Sequence, residues 1–286
     1  MRVIDVLNSG KPTVSFEVFP PKTEDKFDTV RDAAFEIAEI GPDFMSITYG
    51  AGGGTSRYTM DLVEQIQKTY DIPVLSHLTC VSSTRDEVRE KIEEIKRRGI
   101  ENILALRGDI PEDGGKQEYR HAIELIRDIH EMGDFCVGAA CYPETHVESQ
   151  NRLEDLKYLK EKVDAGVDFL TTQLFFDNEL FYRFLYRIRE IGITVPVCAG
   201  IMPITNARQV ERSVKMSGAF VPQTFSEICD RFGSNPKAMR QAGILYATYQ
   251  IMDLLANGVT HIHVYTMNKP AVAKAIVAGL SDILKV

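Results

Sequence analysis

The sequence predicts an α/β fold, a (β/α)8 TIM barrel with extra helical material between the seventh and eighth strands. Eight short runs are almost continuously apolar, as the strands of a parallel sheet covered on both faces are. A longer amphipathic run follows most of them, so strands and helices alternate along the chain. The 286 residues, 44% hydrophobic and 26% charged, suit one large barrel domain over 1–286.

The apolar and amphipathic runs place the elements in order along the chain. The predicted strands are 13–19, 43–48, 73–79, 102–106, 135–141, 167–173, 196–201 and 261–265. The predicted helices are 24–40, 59–69, 84–98, 118–132, 151–165, 178–191, 205–216 and 270–284, with 222–232 and 236–257 as the extra material. A doubly wound sheet, with one or two runs misassigned, is the alternative.

Local signals support the helix ends. Ser83-Thr84-Arg85-Asp86-Glu87 carries the residue types that cap a helix N-terminus. Four glycines stand where a predicted helix gives way to the next strand, as C-terminal capping glycines do. They are Gly99, Gly133, Gly166 and Gly192.

Charge and cysteine usage exclude several classes of protein. The chain has 33 basic and 41 acidic residues, a net charge of −8, which argues against a large nucleic-acid surface. Residues 1–11 lack the apolar core of a signal peptide, and no apolar run is long enough to span a membrane. Five cysteines without CxxC spacing predict reduced thiols in the cytoplasm and no zinc or iron–sulfur site.

Unusual polar residues cluster where the predicted strands end. A barrel of this kind carries its catalytic groups at the C-terminal ends of its strands. The polar residues are Glu17 in strand one, Thr48 and Tyr49 after strand two, His77 and Thr79 in strand three, Arg107 to Asp109 after strand four, Tyr142 to His146 after strand five, Gln173 at the end of strand six, and Tyr265, Asn268 and Lys269 after strand eight. They are predicted to converge on one rim.

Glu17 lies in the apolar run Thr13-Val14-Ser15-Phe16-Glu17-Val18-Phe19 and is expected to be at least partly buried. Removing a carboxylate from water costs several kcal/mol unless it is paired or protonated. A carboxyl kept protonated by its surroundings suits a general acid. The alternative is that Glu17 points outward or pairs with a lysine.

The other motifs leave alternatives open. In Arg107-Gly108-Asp109 the guanidinium can pair with Asp109 or bind a phosphate. Lys162, on the helix after strand five, can reach a phosphate or simply be solvated. Gln173 precedes two phenylalanines, which suits a flat heterocycle or ordinary packing.

The histidines predict no clear metal site. His77 and His146 both sit near strand ends, but no HxH or HxxxH ligand set accompanies them. His261 and His263 share one face of a strand and are interpreted as structural, since no carboxylate is spaced with them.

Taken together, the motifs resemble the methylenetetrahydrofolate reductase family in its short bacterial form. The match runs along nearly the whole chain and depends on the order and spacing of its segments. They are Ser15-Phe16-Glu17-Val18-Phe19-Pro20-Pro21-Lys22, Ser46-Ile47-Thr48-Tyr49-Gly50-Ala51, His77-Leu78-Thr79-Cys80, Ala105-Leu106-Arg107-Gly108-Asp109, Tyr142-Pro143-Glu144-Thr145-His146, Lys162-Val163-Asp164-Ala165-Gly166, Thr172-Gln173-Leu174-Phe175-Phe176-Asp177 and Tyr265-Thr266-Met267-Asn268-Lys269.

The resemblance implies a flavin-dependent barrel that uses NADH or NADPH and FAD to reduce 5,10-methylenetetrahydrofolate to 5-methyltetrahydrofolate. It implies Glu17 as the general acid and Asp109 as the aspartate near flavin and pterin. Gln173, Gln209 and Lys269 fall at folate-binding positions. The FAD-contacting positions would be Thr48, Tyr49, Ala51, His77, Arg107, Gly108, Asp109, Tyr119, Tyr142, His146, Asp155 and Lys162.

The resemblance also implies a homo-oligomer in the cytoplasm, with a partner subunit for electron transfer possible and no regulatory C-terminal domain. Two other classes compete with this interpretation. A barrel enzyme without flavin would explain the polar rim but not the ordered motifs. A folate-binding partner subunit would keep the pterin contacts and lose the flavin.

Overall fold

The computed structural model describes residues 1–21, 23–49, 56–110 and 118–286. Their strands form a closed barrel in which each strand pairs in parallel with the next and the eighth pairs with the first. The strands are β1 (Thr13–Val18), β2 (Phe44–Ile47), β3 (Val74–Thr79), β4 (Asn102–Leu106), β5 (Cys136–Cys141), β6 (Phe169–Thr172), β7 (Val197–Ile201) and β8 (His261–Tyr265).

Helices surround this barrel. They are α1 (Val3–Leu7), α2 (Phe27–Ala38), α3 (Ser56–Tyr70), α4 (Arg85–Arg97), α5 (Ala122–Met132), α6 (Arg152–Asp164), α7 (Asn178–Glu190), α8 (Arg208–Ser217), α9 (Gln223–Phe232), α10 (Pro236–Ala256) and α11 (Pro270–Leu280), with short 3-10 turns at Glu24–Lys26 and Ile283–Lys285.

The predicted fold class is confirmed, including α9 and α10 as the extra helices before β8. The predicted cap of α4 is also present. Thr84 accepts a hydrogen bond from the Glu87 backbone, and the Glu87 carboxylate accepts one from the Thr84 backbone. The largest differences are at helix ends, where α5 begins at Ala122 rather than 118 and α11 ends at Leu280 rather than 284.

Helix α1 was not predicted from the sequence. Its five residues are too few for a helical period to show. Val3 and Leu7 are buried in a small apolar cluster at the N-terminal end of the barrel interior. The strand residues of that cluster are Phe44, Leu75, Leu104, Cys136, Phe169 and Cys198. The bottom of the barrel is therefore filled and apolar.

The pleat of β1 separates core from site. Val14, Phe16 and Val18 belong to the main hydrophobic core, whereas the alternate residues Ser15 and Glu17 carry polar side chains on the opposite face. Register then positions Glu17 beside Ser46 of β2 and Tyr265 of β8. Closure of the barrel thus joins polar residues that lie some 250 positions apart in sequence.

Across the described part of the chain, no helix has both the length and the apolar composition needed to cross a lipid bilayer.

Candidate functional site

The polar interior of the barrel is centred on Glu17, which is only 6% exposed to solvent. Its Oε2 lies 3.5 Å from Nε2 of His77 on β3 and 3.5 Å from Nε2 of His263 on β8. The sequence left open an outward orientation or a lysine partner. The structure instead gives this buried carboxyl two imidazole neighbours, which lower the cost of burying it.

A serine holds each of these imidazoles. Ser46 Oγ lies 2.7 Å from Nε2 of His77, and Ser15 Oγ lies 2.7 Å from Nδ1 of His263. The interpretation of His263 as a histidine without a carboxylate partner was wrong, because its partner Glu17 comes from the other end of the chain. Alternation within β1 and β8, together with the rule that a closed barrel joins its first and last strands, was the signal that could have identified it.

Burial lowers the pKa of His77 to about 4. His77 is therefore neutral near pH 7. A neutral ring gives Glu17 a polar neighbour without a positive charge.

Acidification is expected to destabilise the fold through His77. The pKa of His77 is about 4 in the folded protein, whereas the ordinary value of 6.5 applies to the unfolded chain. Between pH 4 and 6.5 the unfolded chain therefore binds a proton that the folded protein does not. Stability should be greatest above pH 6.5 and fall by about 3 kcal/mol as the pH drops to 4. Urea unfolding of the cofactor-free protein across this range measures the slope. In His77→Asn the free energy of unfolding should depend less on pH. An unchanged slope in that variant would show that His77 does not cause the loss of stability.

The loop after β8 fixes the end of β1. The Thr266 hydroxyl donates to the backbone carbonyl of Glu17 at 2.6 Å. The Asn268 side chain exchanges two hydrogen bonds with the Phe19 backbone, at 2.8 and 2.9 Å. Met267 and Asn268 both have φ of +54°, a left-handed conformation that asparagine tolerates better than most residues. This bracing sets the position from which the Glu17 side chain projects.

Arg107 pairs with Glu148 rather than with Asp109, one of the two partners considered from the sequence. Its guanidinium binds both carboxylate oxygens of Glu148, at 2.6 Å each, in the loop after β5. Gly108 has φ of +88°, and a Cβ there would lie 2.7 Å from Val81 Cγ1, so glycine is required. Asp109 follows with its side chain exposed. The turn therefore directs Asp109 outward at the rim, close enough for its charge to act on Arg107 and Tyr142.

The segment after β5 brings four predicted residues together. The rings of Tyr142 and His146 meet edge to face with centroids 4.5 Å apart. The Asp155 carboxylate accepts a hydrogen bond from the His146 backbone at 3.2 Å. Lys162 extends beneath this loop and donates to the Ala140 carbonyl at 2.7 Å, and burial lowers its pKa. The solvated alternative for this lysine is therefore wrong.

Burial raises the pKa of Tyr142 to about 12, and the negative charges of Asp109 and Asp155 contribute to the shift. Burial also lowers the pKa of His146, and the charges of Arg107 and Lys162 act in the same direction. Two cations and a tyrosine hydroxyl therefore converge on this side of the barrel mouth.

The remaining predicted cofactor residues are dispersed. The Thr48 backbone donates to the Val18 carbonyl at 3.1 Å, and Tyr49 is buried with no partner for its hydroxyl among the described residues. Tyr119 lies between α4 and α5, where its hydroxyl donates to Asp128 at 2.5 Å under the Arg85 guanidinium. Its hydroxyl is thus already engaged. Ala51 lies outside the described residues.

Two of the three predicted folate residues are linked through Thr205, which the sequence did not single out. The Gln209 side-chain oxygen accepts from the Thr205 backbone at 2.9 Å, and Lys269 donates to the Thr205 hydroxyl at 2.8 Å. Gln173 lies at the end of β6, where it shares the lining of a small cavity with Tyr142. The polar groups thus form a buried cluster around Glu17 inside the barrel, with cationic groups on either side of it.

Comparison with known proteins identifies the family. The methylenetetrahydrofolate reductase family model matches residues 2–281. This chain belongs to the methylenetetrahydrofolate reductase family. It is 35% identical over 267 residues to the 5,10-methylenetetrahydrofolate reductase of Pectobacterium carotovorum subsp. carotovorum, across 93% of this chain and 89% of that protein. Identity to the Escherichia coli (strain K12) enzyme is 34%, across 93% and 90%.

Members of the methylenetetrahydrofolate reductase family from plants are longer. Methylenetetrahydrofolate reductase (NADH) 1 of Arabidopsis thaliana is 34% identical over the whole of this chain, which spans 52% of that protein. Several of the curated relatives are therefore covered over only about half of their length.

Solved structures with the same fold are more distant in sequence. A Clostridium thermocellum protein solved with two copies of 5-methyl-5,6,7,8-tetrahydrofolic acid superimposes with a TM-score of 0.71, at 18% identity and 98% coverage of each chain. Dihydropteroate synthase of Xanthomonas albilineans, in complex with 7,8-dihydropteroate, gives 0.58 at 16% identity, covering 97% of this chain and 94% of that one. At these identities the likeness establishes the barrel fold of this reductase family member and no more.

Within the described ranges, no group of three or more histidine, cysteine, aspartate or glutamate side chains is arranged to hold a metal ion.

Proposed function

We propose that the protein reduces 5,10-methylenetetrahydrofolate to 5-methyltetrahydrofolate with NAD(P)H, using FAD and a ping-pong sequence in which one site serves nicotinamide and folate in turn. Family membership supports the overall reaction. The observation that carries the proposal is the buried carboxyl of Glu17, which lies inside the C-terminal half of the barrel against two imidazoles. Such a carboxyl is suited to donate a proton in a site closed to water.

The residues present fit FAD. A dinucleotide with a pyrophosphate needs cationic donors and an aromatic surface. Arg107, Lys162, Tyr142 and His146 supply both on one side of the barrel mouth. The Tyr49 hydroxyl is buried without a partner and can satisfy a polar ligand atom. Arg107 would exchange or share its Glu148 partner on binding, because guanidinium forks bind phosphate as readily as carboxylate.

FAD, when bound, would accept a hydride from NAD(P)H and supply it to the methylene carbon of the folate. The substrate's five-membered ring must open first. A proton from Glu17 to N10 makes that nitrogen a leaving group, the bond between N10 and the methylene carbon breaks, and the positive charge moves to N5. The carboxylate of Asp109, which is exposed at the rim, would stabilise that cation electrostatically.

The folate itself would be held by Gln173 and by the group around Thr205. An amide at the position of Gln173 can bond the edge of the pterin ring. Lys269 is exposed beside Thr205 and presents a positive charge to the carboxylates of the glutamate tail. Burial and the charge of Arg240 lower the pKa of Lys269, and a carboxylate beside the ammonium would offset both effects.

We also propose that residues 1–286 act as one catalytic barrel in the cytoplasm and associate with further copies of the chain. Four of the five cysteines are buried as free thiols, which supports a reducing compartment. Leu245, Tyr249 and Met252 lie exposed along one side of α10, which supports self-association.

The visible spectrum of the purified protein tests the proposal directly. A yellow protein with flavin absorption that bleaches with NADH or NADPH and recovers on adding methylenetetrahydrofolate is expected. The choice of nucleotide would appear as a difference in bleaching rate. A colourless protein that takes up no added FAD would favour a barrel enzyme of other chemistry. A folate-binding protein that never bleaches would favour a partner subunit.

A further inference from the structure

A chain of contacts between three buried groups, Ser15, His263 and Glu17, runs along the seam between β1 and β8. Ser15 Oγ lies 3.2 Å from the Ile262 carbonyl oxygen and 2.7 Å from Nδ1 of His263. The opposite ring nitrogen of His263, Nε2, lies 3.5 Å from Glu17 Oε2. Ser15 is fully buried and His263 is 1% exposed, so water does not compete for these contacts.

The chain of contacts selects one tautomer of His263. A hydroxyl has one proton, and a carbonyl oxygen can only accept, so the contact with Ile262 uses the Ser15 proton. The lone pairs of Ser15 then face Nδ1, which must carry the ring proton for both contacts to be hydrogen bonds. In a neutral ring this leaves Nε2 unprotonated and facing Glu17.

An unprotonated Nε2 favours the protonated form of its neighbour. A carboxyl O–H can donate to it, whereas a carboxylate would meet lone pair against lone pair. The long 3.5 Å separation is of the kind that tightens when substrate closes a site. We propose that His263, held as its Nδ1–H tautomer by Ser15, is the positioning residue that keeps Glu17 protonated in the resting protein. This inference rests on the proposed function of Glu17 as the proton donor.

The other groups that face Glu17 are consistent with this assignment. His77 of β3 is neutral, because burial lowers its pKa to about 4, so it does not hold the carboxyl as an ion pair. Ser46 of β2 is hydrogen-bonded to that ring. Tyr265 of β8 donates to the Thr172 carbonyl at 2.6 Å, and burial raises its pKa well above the usual value. None of these groups supplies a positive charge.

The chain contains its own control. Thr13 and His261 repeat the hydroxyl-to-Nδ1 contact, at 3.0 Å, two residues nearer the start of each strand. No carboxylate contact accompanies His261 among the described residues. Thr13→Ala therefore removes the same kind of contact without touching the proposed acid, while Ser15→Ala removes the group that selects the His263 tautomer.

The test begins with nitrogen-15 spectra of the histidine rings in the full chain at neutral pH, with His263→Gln used to assign the His263 signals. We expect a protonated Nδ1 and an unprotonated Nε2. In Ser15→Ala the Nε2–H tautomer should become populated, and the alkaline limb of the folate half-reaction should move about one pH unit lower, a roughly tenfold loss of rate above it. Thr13→Ala should leave both readouts, and flavin reduction by NAD(P)H, at the parental values.

An Nε2–H ring in the parent protein, or a Ser15→Ala pH profile that superimposes on the parental one, would overturn the assignment. The tautomer is read from the resting protein, so it is decided even if Ser15→Ala fails to fold. Failure of the proposed function looks different: the parent would not reduce methylenetetrahydrofolate, or Glu17→Gln would still do so.

Discussion

Glu17→Gln is expected to lower the rate of methylenetetrahydrofolate reduction by about 10²- to 10⁴-fold, the usual contribution of a positioned general acid. Glutamine matches the size of glutamate and keeps a polar contact for the two imidazoles, but its amide cannot donate a proton to N10. Oxidation of NAD(P)H with an artificial electron acceptor should continue near the parental rate. Stopped-flow measurement of the two half-reactions separates these effects.

The matched control for this substitution is Glu93→Gln on the exposed side of α4, which makes the same chemical change far from the barrel interior. It should alter neither half-reaction. A Glu17→Gln protein that binds FAD and reduces folate at the parental rate would remove Glu17 from the mechanism. Loss of both half-reactions with loss of bound flavin would instead indicate a structural role.

The barrel was accessible from sequence because its signals are local. Each strand is a short apolar run, and most helices show a helical repeat of apolar residues. The cap at Thr84 is formed by residues that are close together in sequence. Helix α1 was not predicted because five residues are too few to show a helical repeat. Its apolar packing role appears only in the closed barrel, where Val3 and Leu7 contact the strands.

The sequence identified individual residues of the candidate site, but not the contacts between them. Glu17 and His77 stood out as polar residues in apolar runs. Their meeting with His263 depends on closure between β1 and β8, which no local pattern records. The same limit applies to Arg107, whose partner Glu148 lies in the loop of another strand. Roles assigned to these residues through the family stay predictions.

At Gly243, helix α10 packs against the loop after β7, which carries part of the proposed folate site. A glycine inside a helix costs about 1 kcal/mol relative to alanine, so its presence there calls for a reason. The reason is a close approach of two backbones: a Cβ on Gly243 would lie 1.6 Å from the carbonyl oxygen of Ile204. The next residue is Thr205, whose hydroxyl holds Lys269 and whose backbone holds Gln209.

Gly243→Ala is therefore expected to destabilise the protein by about 3 kcal/mol or more, since backbone must move to relieve the overlap. The thermal midpoint should fall by roughly 5 to 10 °C. Displacement of the segment at Thr205 should also raise KM for folate. Flavin reduction should change little, because the proposed FAD contacts after β4 and β5 lie elsewhere. Calorimetry and the two half-reactions measure these effects together.

Gly279→Ala on α11 is the control, because its added Cβ meets only the Thr248 side chain, at 3.1 Å. The stability of this variant is expected to lie within about 1 kcal/mol of the parent. Equal stabilities for the two variants would mean that α10 and the loop after β7 are free to separate, and that the position of Thr205 does not depend on their contact.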